Sequence, residues 1–91
     1  MKVEFSKAFI KSASKLSGKM KSSLKNVILE VENADSMLEV SDCKKLIGYR
    51  NVYRIRIGDY RTFVLYHVYI ENNVALFQYL VSRGEAFRKY F

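Results

Sequence analysis

The chain has 91 residues, of which 49% are hydrophobic, so we predict a single domain, residues 1–91, built on one packed core. Its lone cysteine, Cys43, excludes an internal disulfide framework and a cysteine-based zinc site, and it fits a reducing compartment. The formal net charge of +7 points to a polyanionic partner, whether nucleic acid, an anionic membrane or an acidic protein.

The opening residues and the hydropathy of the chain predict a cytoplasmic protein. Residues 1–10 mix lysine, glutamate and serine, without the apolar stretch of a signal peptide. No apolar run is long enough for a membrane-spanning helix, so we predict no membrane partner.

The first part of the chain predicts a strand and a helical hairpin. Val3 and Phe5 alternate in "MKVEF", as in a short strand, and Ser6 follows as a helix N-cap. Apolar residues then recur at helical spacing until "SG" at 17–18, which predicts the end of the first helix. A second helix is predicted from Lys19 to about Asn33, on an apolar stripe of Met20, Leu24, Val27, Ile28 and Val31. Residues 34–45 are predicted to be a loop or a short extended piece.

The rest of the chain predicts three strands, "NVYRIRIG", "DYRTFVLYHVYI" and "NVALFQYLVS". Gly58-Asp59 and Asn72-Asn73 are suited to two-residue hairpin turns between them. The fold class is therefore α+β: an N-terminal strand, an α-helical hairpin packed on an antiparallel three- to four-stranded sheet, and a short C-terminal tail or helix.

The turn at Gly58-Asp59 predicts the pairing of the two strands beside it. Ile57 then lies opposite Tyr60, and Arg56 lies opposite Arg61. One face collects apolar residues for the core: Tyr53, Ile55, Ile57, Tyr60, Thr62 and Val64. The other face collects Arg54, Arg56, Arg61 and Phe63 near the turn. Guanidinium groups bind phosphate oxygens in pairs and aromatic rings stack on bases, so this face predicts a phosphate-binding surface; the alternative is a solvated basic face.

The same segments resemble a known family. The run "KKLIGYRNVYRIRIGDYRTFVLY", residues 44–66, and the opening "FSKAFIKSASKL" are similar to the RelE/ParE superfamily of toxins from bacterial type II toxin–antitoxin systems. RelE-like members are ribosome-dependent mRNA endonucleases, and ParE-like members poison DNA gyrase. The resemblance implies a RelE-like mRNA interferase that inhibits translation. The alternatives are a gyrase inhibitor and a nucleic-acid-binding module without catalysis.

The resemblance also implies the site residues. The family's two basic residues on the first meander strand match Arg54 and Arg56, and its later arginines match Arg61 and Arg83. In the tail "SRGEAF", Ser82 stands where histidine is common and Phe87 where tyrosine is common. The predicted catalytic residues are Arg54, Arg56, Arg61, Arg83, Glu85 and Tyr90, and the predicted RNA-binding residues are Phe63, Phe87 and Arg88.

Proton transfer at such a site needs a base and an acid, for which Glu85, Tyr90 and His67 are the candidates. No cluster of histidines or carboxylates suggests a metal site, and no cofactor is expected. The partners that the resemblance implies are mRNA, the ribosome and a cognate antitoxin that holds the toxin in a hetero-oligomer.

Overall fold

The computed structural model describes residues 1–67 and 73–85. The elements in chain order are β1 (Lys2–Phe5), α1 (Lys7–Ala13), α2 (Gly18–Asn33), a 3-10 turn (Met37–Glu39), β2 (Cys43–Lys45), β3 (Val52–Ile57), β4 (Tyr60–His67) and β5 (Val74–Ser82). The strands form one five-stranded sheet in the order β1-β5-β4-β3-β2. The predicted α+β class is confirmed.

Serine residues set where both helices begin. The Ser6 hydroxyl accepts the Phe9 N–H at 3.0 Å, which confirms the predicted cap of α1. Ser17 accepts the Met20 N–H at 3.5 Å and caps α2, so "SG" opens the second helix rather than closing the first. The first helix already ends at Ala13, where the Ser14 hydroxyl donates to the Lys11 carbonyl at 2.7 Å, a local bond that competes with helix continuation.

The sheet is wider than the three to four antiparallel strands that were expected. Cys43–Lys45, within the stretch expected to be a loop or a short extended piece, pairs with the outer edge of β3. At the other edge β1 pairs with β5 in parallel, with Lys2 beside Val74 and Phe5 beside Phe77. These additions are contacts between distant parts of the chain, which alternation within each strand does not reveal.

The pairing of β3 with β4 is the predicted one, from Ile57 opposite Tyr60 to Val52 opposite Leu65. Gly58 has φ 57° and supplies the left-handed residue of the turn. The predicted turn at Asn72-Asn73 lies partly outside the described residues. Between β4 and β5 the register shifts after Phe63, because Phe63 pairs with Tyr79 and Val64 with Phe77, which leaves Gln78 as the extra residue of a bulge.

Both helices cover one face of the sheet, and this layer holds the main core. Its buried side chains include Phe9, Leu24, Val31, Met37, Ile55, Ile57, Val64, Ala75, Phe77 and Leu80. Because of the bulge at Gln78, Phe77 and Leu80 both reach this core although they are three positions apart. Within residues 1–67 and 73–85, no helix has the length and apolar character to cross a membrane.

Candidate functional site: an arginine cluster on the open face of the sheet

The face of the sheet that the helices leave open carries two rows of side chains across the strands. One row runs through Lys44, Arg54, Phe63 and Tyr79. The next row runs through Arg56, Arg61 and Val81. Side chains that are directly opposite on neighbouring strands have Cβ atoms about 4.5–5.5 Å apart, so these cations are neighbours. We call Arg54, Arg56, Arg61 and Arg83 the arginine cluster.

Arg61 lies at the centre of the arginine cluster. Its Nη1 donates to the carbonyls of Gly58 and Tyr60, at 2.9 Å each, so the turn fixes the guanidinium. Partial burial lowers the pKa of Arg61, and the charges of Arg54, Arg83 and Arg56 lower it further, while Asp59 opposes them. The structure therefore brings the four predicted arginines together, and their mutual repulsion is relieved when an anion binds among them.

Arg83 reaches the cluster because the end of β5 is tied to the hairpin turn. The Arg83 N–H donates to the Asp59 carbonyl at 2.7 Å. A helical turn begins at Arg83, and Ser82 is its cap: the Glu85 N–H donates to the Ser82 hydroxyl at 3.3 Å, and that hydroxyl lies 3.1 Å from the Glu85 carboxylate. A serine hydroxyl that accepts the N–H three residues later caps the first turn of a helix, here the turn that carries Arg83.

Glu85 is engaged in the helical turn that carries Arg83. It also lines a groove of about 480 Å³ between α1 and the end of β5, together with Ser12, Lys15 and Ser82. The acidic group that acts on Arg61 is Asp59. The hydrogen bonds of Glu85 with Ser82 suit a role in helix capping. The catalytic role of Glu85 stays a prediction.

Asp42 is an acidic neighbour of the cluster that the sequence reasoning missed. Its carboxylate lies 3.3 Å from Nη2 of Arg56, in an exposed ion pair. The Arg56 N–H donates to the Asp42 carbonyl at 3.0 Å, which continues the pairing of β2 with β3 by one residue. The backbone of Asp42 is left-handed, with φ 53°, a conformation that aspartate and asparagine tolerate better than most residues.

The aromatic residues of the open face differ from expectation. Phe63 is only 2% exposed, because its ring packs with Leu46, Val52 and Val81 in a small second core, so it offers no surface for base stacking. Tyr79, its neighbour on β5, is 43% exposed. The predicted residues Phe87, Arg88 and Tyr90, and the side chain of His67, lie outside the described residues.

Chemically, this face is suited to binding phosphate. The cations of the cluster and Lys44 lie on a rigid sheet, where guanidinium forks bind pairs of phosphate oxygens. Within the described ranges, 1–67 and 73–85, no three His, Cys, Asp or Glu side chains are grouped closely enough to hold a metal ion.

Comparison with known proteins gives the family. Models of known protein families give no match. Toxin RelE3 of Methanocaldococcus jannaschii is 42% identical to the chain over 62 residues, which cover 67% of this chain and 70% of that protein. The chain belongs to the RelE toxin family. This agrees with the resemblance that the segment 44–66 indicates.

Solved structures of RelE toxins share the fold. A chain in the crystal structure of a RelB–RelE antitoxin–toxin complex from Methanococcus jannaschii matches with a TM-score of 0.73 and 29% identity, over 97% of this chain and 99% of that one. A chain in the archaeal RelE–RelB complex from Pyrococcus horikoshii OT3 matches with a TM-score of 0.72 and 28% identity, over 93% and 97% of the two chains. The RelE fold therefore extends over almost the whole chain.

Cys43 of this RelE-family chain is expected to be unreactive. Burial, with a smaller contribution from Glu30, raises the pKa of its thiol from 9.0 to about 11. At pH 8 we expect alkylation by iodoacetamide to be about 100-fold slower in the folded protein than in the denatured one, since the thiolate is the reactive form. Mass spectrometry of timed samples measures both rates, and equal rates would contradict the raised pKa.

The same shift affects stability at high pH. The unfolded chain releases this proton near its ordinary pKa of 9.0, and the folded chain holds it until about 11. The contribution of Cys43 therefore lowers the free energy of unfolding as the pH rises through this interval. Cys43→Ser should reduce that part of the pH dependence in urea unfolding.

Proposed function

We propose that the protein is the toxin of a type II toxin–antitoxin pair and that it inhibits translation as a ribosome-dependent mRNA endonuclease. The observation that carries this proposal is the arginine cluster, in which Arg61 is held by the turn carbonyls while Arg54, Arg56 and Arg83 act on its charge. Membership of the RelE family supports the same reaction.

The reaction is attack of a ribose 2′-hydroxyl on the neighbouring phosphate. The bond from O2′ to phosphorus forms, and the bond from phosphorus to O5′ breaks. A proton leaves the 2′-hydroxyl, and another reaches the departing O5′. The pentacoordinate phosphate carries more negative charge than the ground state, so cations that are already in place stabilise it. In this proposal Arg61 binds the scissile phosphate, and Arg54, Arg56 and Arg83 neutralise the charge around it.

Proton transfer is the part of the mechanism that the cluster does not supply by itself, because an arginine side chain stays protonated near neutral pH. The ribosome supplies part of the geometry by positioning the mRNA. Tyr90, Glu85 and His67 remain the proposed acid–base candidates from this chain, and Phe87 and Arg88 remain proposed RNA contacts.

Two substitutions of Glu85 distinguish a role in proton transfer from a role in helix capping. Glu85→Gln keeps an acceptor for the Ser82 hydroxyl, and glutamine occupies this position of a capping box as well as glutamate does. If capping is the role of Glu85, Glu85→Gln should retain cleavage within about twofold, whereas Glu85→Ala should lower the free energy of unfolding by about 0.3–1 kcal/mol, the contribution of an acidic side chain in the first turn of a helix. A large loss of cleavage in a stable Glu85→Gln protein would instead assign Glu85 to proton transfer.

Asp42→Asn is expected to strengthen RNA binding. The carboxylate competes with phosphate for Arg56, and its removal frees that guanidinium. Exposed ion pairs contribute about 0.2–1 kcal/mol, so the KM for cleavage of ribosome-bound mRNA should fall by up to about fivefold. Asparagine also tolerates the left-handed backbone at this position.

The matched control for Asp42→Asn is Glu4→Gln, which removes the same charge from β1 at the far edge of the sheet. An equal fall of KM in both variants would assign the effect to net charge rather than to Arg56. The difference between the two variants should shrink at high salt, because salt screens exposed charges.

The proposed protein partner is a cognate antitoxin. The solved relatives are complexes with RelB, and an acidic segment would be attracted to the arginine cluster. Between α1 and α2 lies an apolar groove of about 530 Å³, and the exposed side chains of Phe5, Ile10 and Leu29 line it. A groove of this kind fits the apolar face of an amphipathic helix, so the complex is a hetero-oligomer with the antitoxin spread over both surfaces.

The deciding experiment is a reconstituted translation reaction in which mRNA ends are mapped by primer extension. Cuts inside codons that require ribosomes, and that stop when the antitoxin is added, are expected. The absence of cuts together with gyrase-dependent DNA breaks would overturn the proposal in favour of a gyrase inhibitor. The absence of both activities, with RNA binding retained, would leave a nucleic-acid-binding module.

A further inference from the structure

The loop that joins β2 to β3 continues the open face of the sheet beyond the arginine cluster. Lys44 lies beside Arg54 in the pairing of β2 with β3. Leu46 follows on the same face and covers Phe63. The chain then turns through residues 47–51 and enters β3 at Val52. A strand of RNA that leaves the cluster past Arg54 and Lys44 therefore meets this loop.

The tip of the loop exposes large apolar side chains that take no part in the core. Ile47 is 94% exposed, and Tyr49 is 52% exposed. Exposed basic residues surround them, namely Lys44, Lys45 and Arg50. Apolar side chains surrounded by basic residues suit a ligand that has both flat apolar faces and negative charge. Single-stranded nucleic acid has both, in its bases and its phosphates.

The loop is held at its base, so its tip is presented in a defined position. The Leu46 N–H donates to the Val52 carbonyl at 2.9 Å, and the Tyr66 N–H donates to the Asn51 carbonyl at 2.8 Å. Gly48 and Asn51 are left-handed, with φ 86° and 59°, and they make the reversal. A loop whose backbone is fixed at its base loses less conformational freedom when a base stacks on a ring at its tip.

The loop lies within reach of the nucleotides next to the scissile phosphate. Tyr49 lies five positions before Arg54, a span of at most about 17 Å along an extended chain. The open face between Arg54 and the loop is formed by the apolar side chains of Leu46 and Val52. Lys44 lies beside Arg54 at the edge of this apolar stretch, and Arg50 lies at its far end, so cations flank both ends of the path.

We propose that the β2–β3 loop is a second RNA subsite, in which Tyr49 stacks on an mRNA base a short distance from the cut and Arg50 binds the adjacent phosphate. The subsite rests on the proposed mRNA cleavage and adds to it a contact that selects where cleavage occurs. Stacking tolerates every base but favours the larger ones, so the subsite biases cleavage towards codons with a purine at that position.

The test compares Tyr49→Ala and Tyr49→Phe with the wild type in ribosome-dependent cleavage of an mRNA that offers many codons. Tyr49→Ala should raise KM about tenfold and flatten the preference among codons, with kcat little changed because Tyr49 does not touch the reacting atoms. Tyr49→Phe keeps the ring and should restore both. Leu38→Ala is the matched control, since Leu38 is 88% exposed on another part of the surface.

A crosslinking experiment identifies the RNA directly. Arg61→Ala protein is bound to ribosomes that carry mRNA with a photoreactive uridine at successive positions, and the crosslinked residue is mapped. A crosslink from mRNA to Tyr49 supports the subsite, and mRNA crosslinks that reach the arginine cluster from every uridine position but never the loop at Tyr49 overturn it. If the wild type cleaves mRNA and Tyr49→Ala cleaves equally well, the subsite is wrong while the proposed function stands. If the wild type cleaves nothing, the proposed function fails and the subsite fails with it.

Discussion

Replacing Arg61 by alanine is expected to lower ribosome-dependent mRNA cleavage about 100- to 1,000-fold, the loss that follows removal of a fixed donor to a charged transition state. Arg61 is the cluster member on which the other three charges act, and its guanidinium is fixed by the Gly58 and Tyr60 carbonyls. Primer extension on a single mRNA measures the loss, with kcat and KM determined separately. The effect should fall mainly on kcat, because the charge develops in the transition state.

Two further variants make the Arg61 result specific. Arg61→Lys keeps the charge but not the fork of donors, so its cleavage rate should lie between those of Arg61→Ala and the wild type. Lys25→Ala removes a cation from α2, on the other layer of the molecule, and should cleave normally. Thermal unfolding should show that Arg61→Ala stays folded, since the hydrogen bonds of its guanidinium go to the carbonyls of its own turn, Gly58 and Tyr60. Undiminished cleavage by a folded Arg61→Ala protein would remove Arg61 from the site.

The arginine cluster could be predicted from the sequence because its cause is local. Alternation along β3 and β4, with Gly58 at the turn, leaves one register that buries Ile55, Ile57 and Val64 together. The arginines then fall on the opposite face without further information. Arg83 was predicted to belong to the cluster only from the family resemblance. The structure gives the physical reason for its position, because the Arg83 N–H donates to the Asp59 carbonyl in the hairpin turn.

The surroundings of the cluster could not be predicted, because they depend on contacts between distant segments. Asp42 and Lys44 lie in a stretch that carries no periodic pattern, and only its pairing with β3 sets them beside Arg56 and Arg54. The same stretch supplies Leu46, which packs against Phe63. Phe63 is therefore buried, although it was predicted to stack on bases. The strand β2 has only three residues, too few for an alternating pattern that would predict the strand or its pairing with β3.

The helix cap at Ser82 was not predicted, although the sequence contains its pattern. "SRGE" at residues 82–85 has a serine followed three residues later by a glutamate, the pattern of a capping box. In the resemblance to the family's tail, Ser82 counts only as the residue that stands where histidine is common. The hydrogen bonds of Ser82 with Glu85 show a helix start, which also explains how the chain leaves β5 with Arg83 directed towards the turn.

Phe77→Ala is expected to have the largest effect on stability. Phe77 is fully buried at the centre of the core, and its ring lies 5.5 Å from that of Phe5 and 5.4 Å from that of Phe9. It joins α1 to the middle of the sheet, where β5 lies between β1 and β4. Truncating a buried phenylalanine costs about 3–5 kcal/mol, against a total of about 5–15 kcal/mol for a domain.

Urea unfolding followed by circular dichroism measures this loss, with Tyr79→Ala as the control on the same strand. The Tyr79 side chain lies on the open face, and the hydrogen bond from Thr62 reaches its backbone carbonyl, which alanine retains. Tyr79→Ala should therefore cost clearly less than Phe77→Ala, because the Tyr79 side chain is 43% exposed. Equal losses in the two variants would contradict the assignment of Phe77 to the core. A selective loss in Phe77→Ala would support the placement of Phe77 in the core, which it shares with Leu80 because of the bulge at Gln78, on the face of the sheet opposite the arginines.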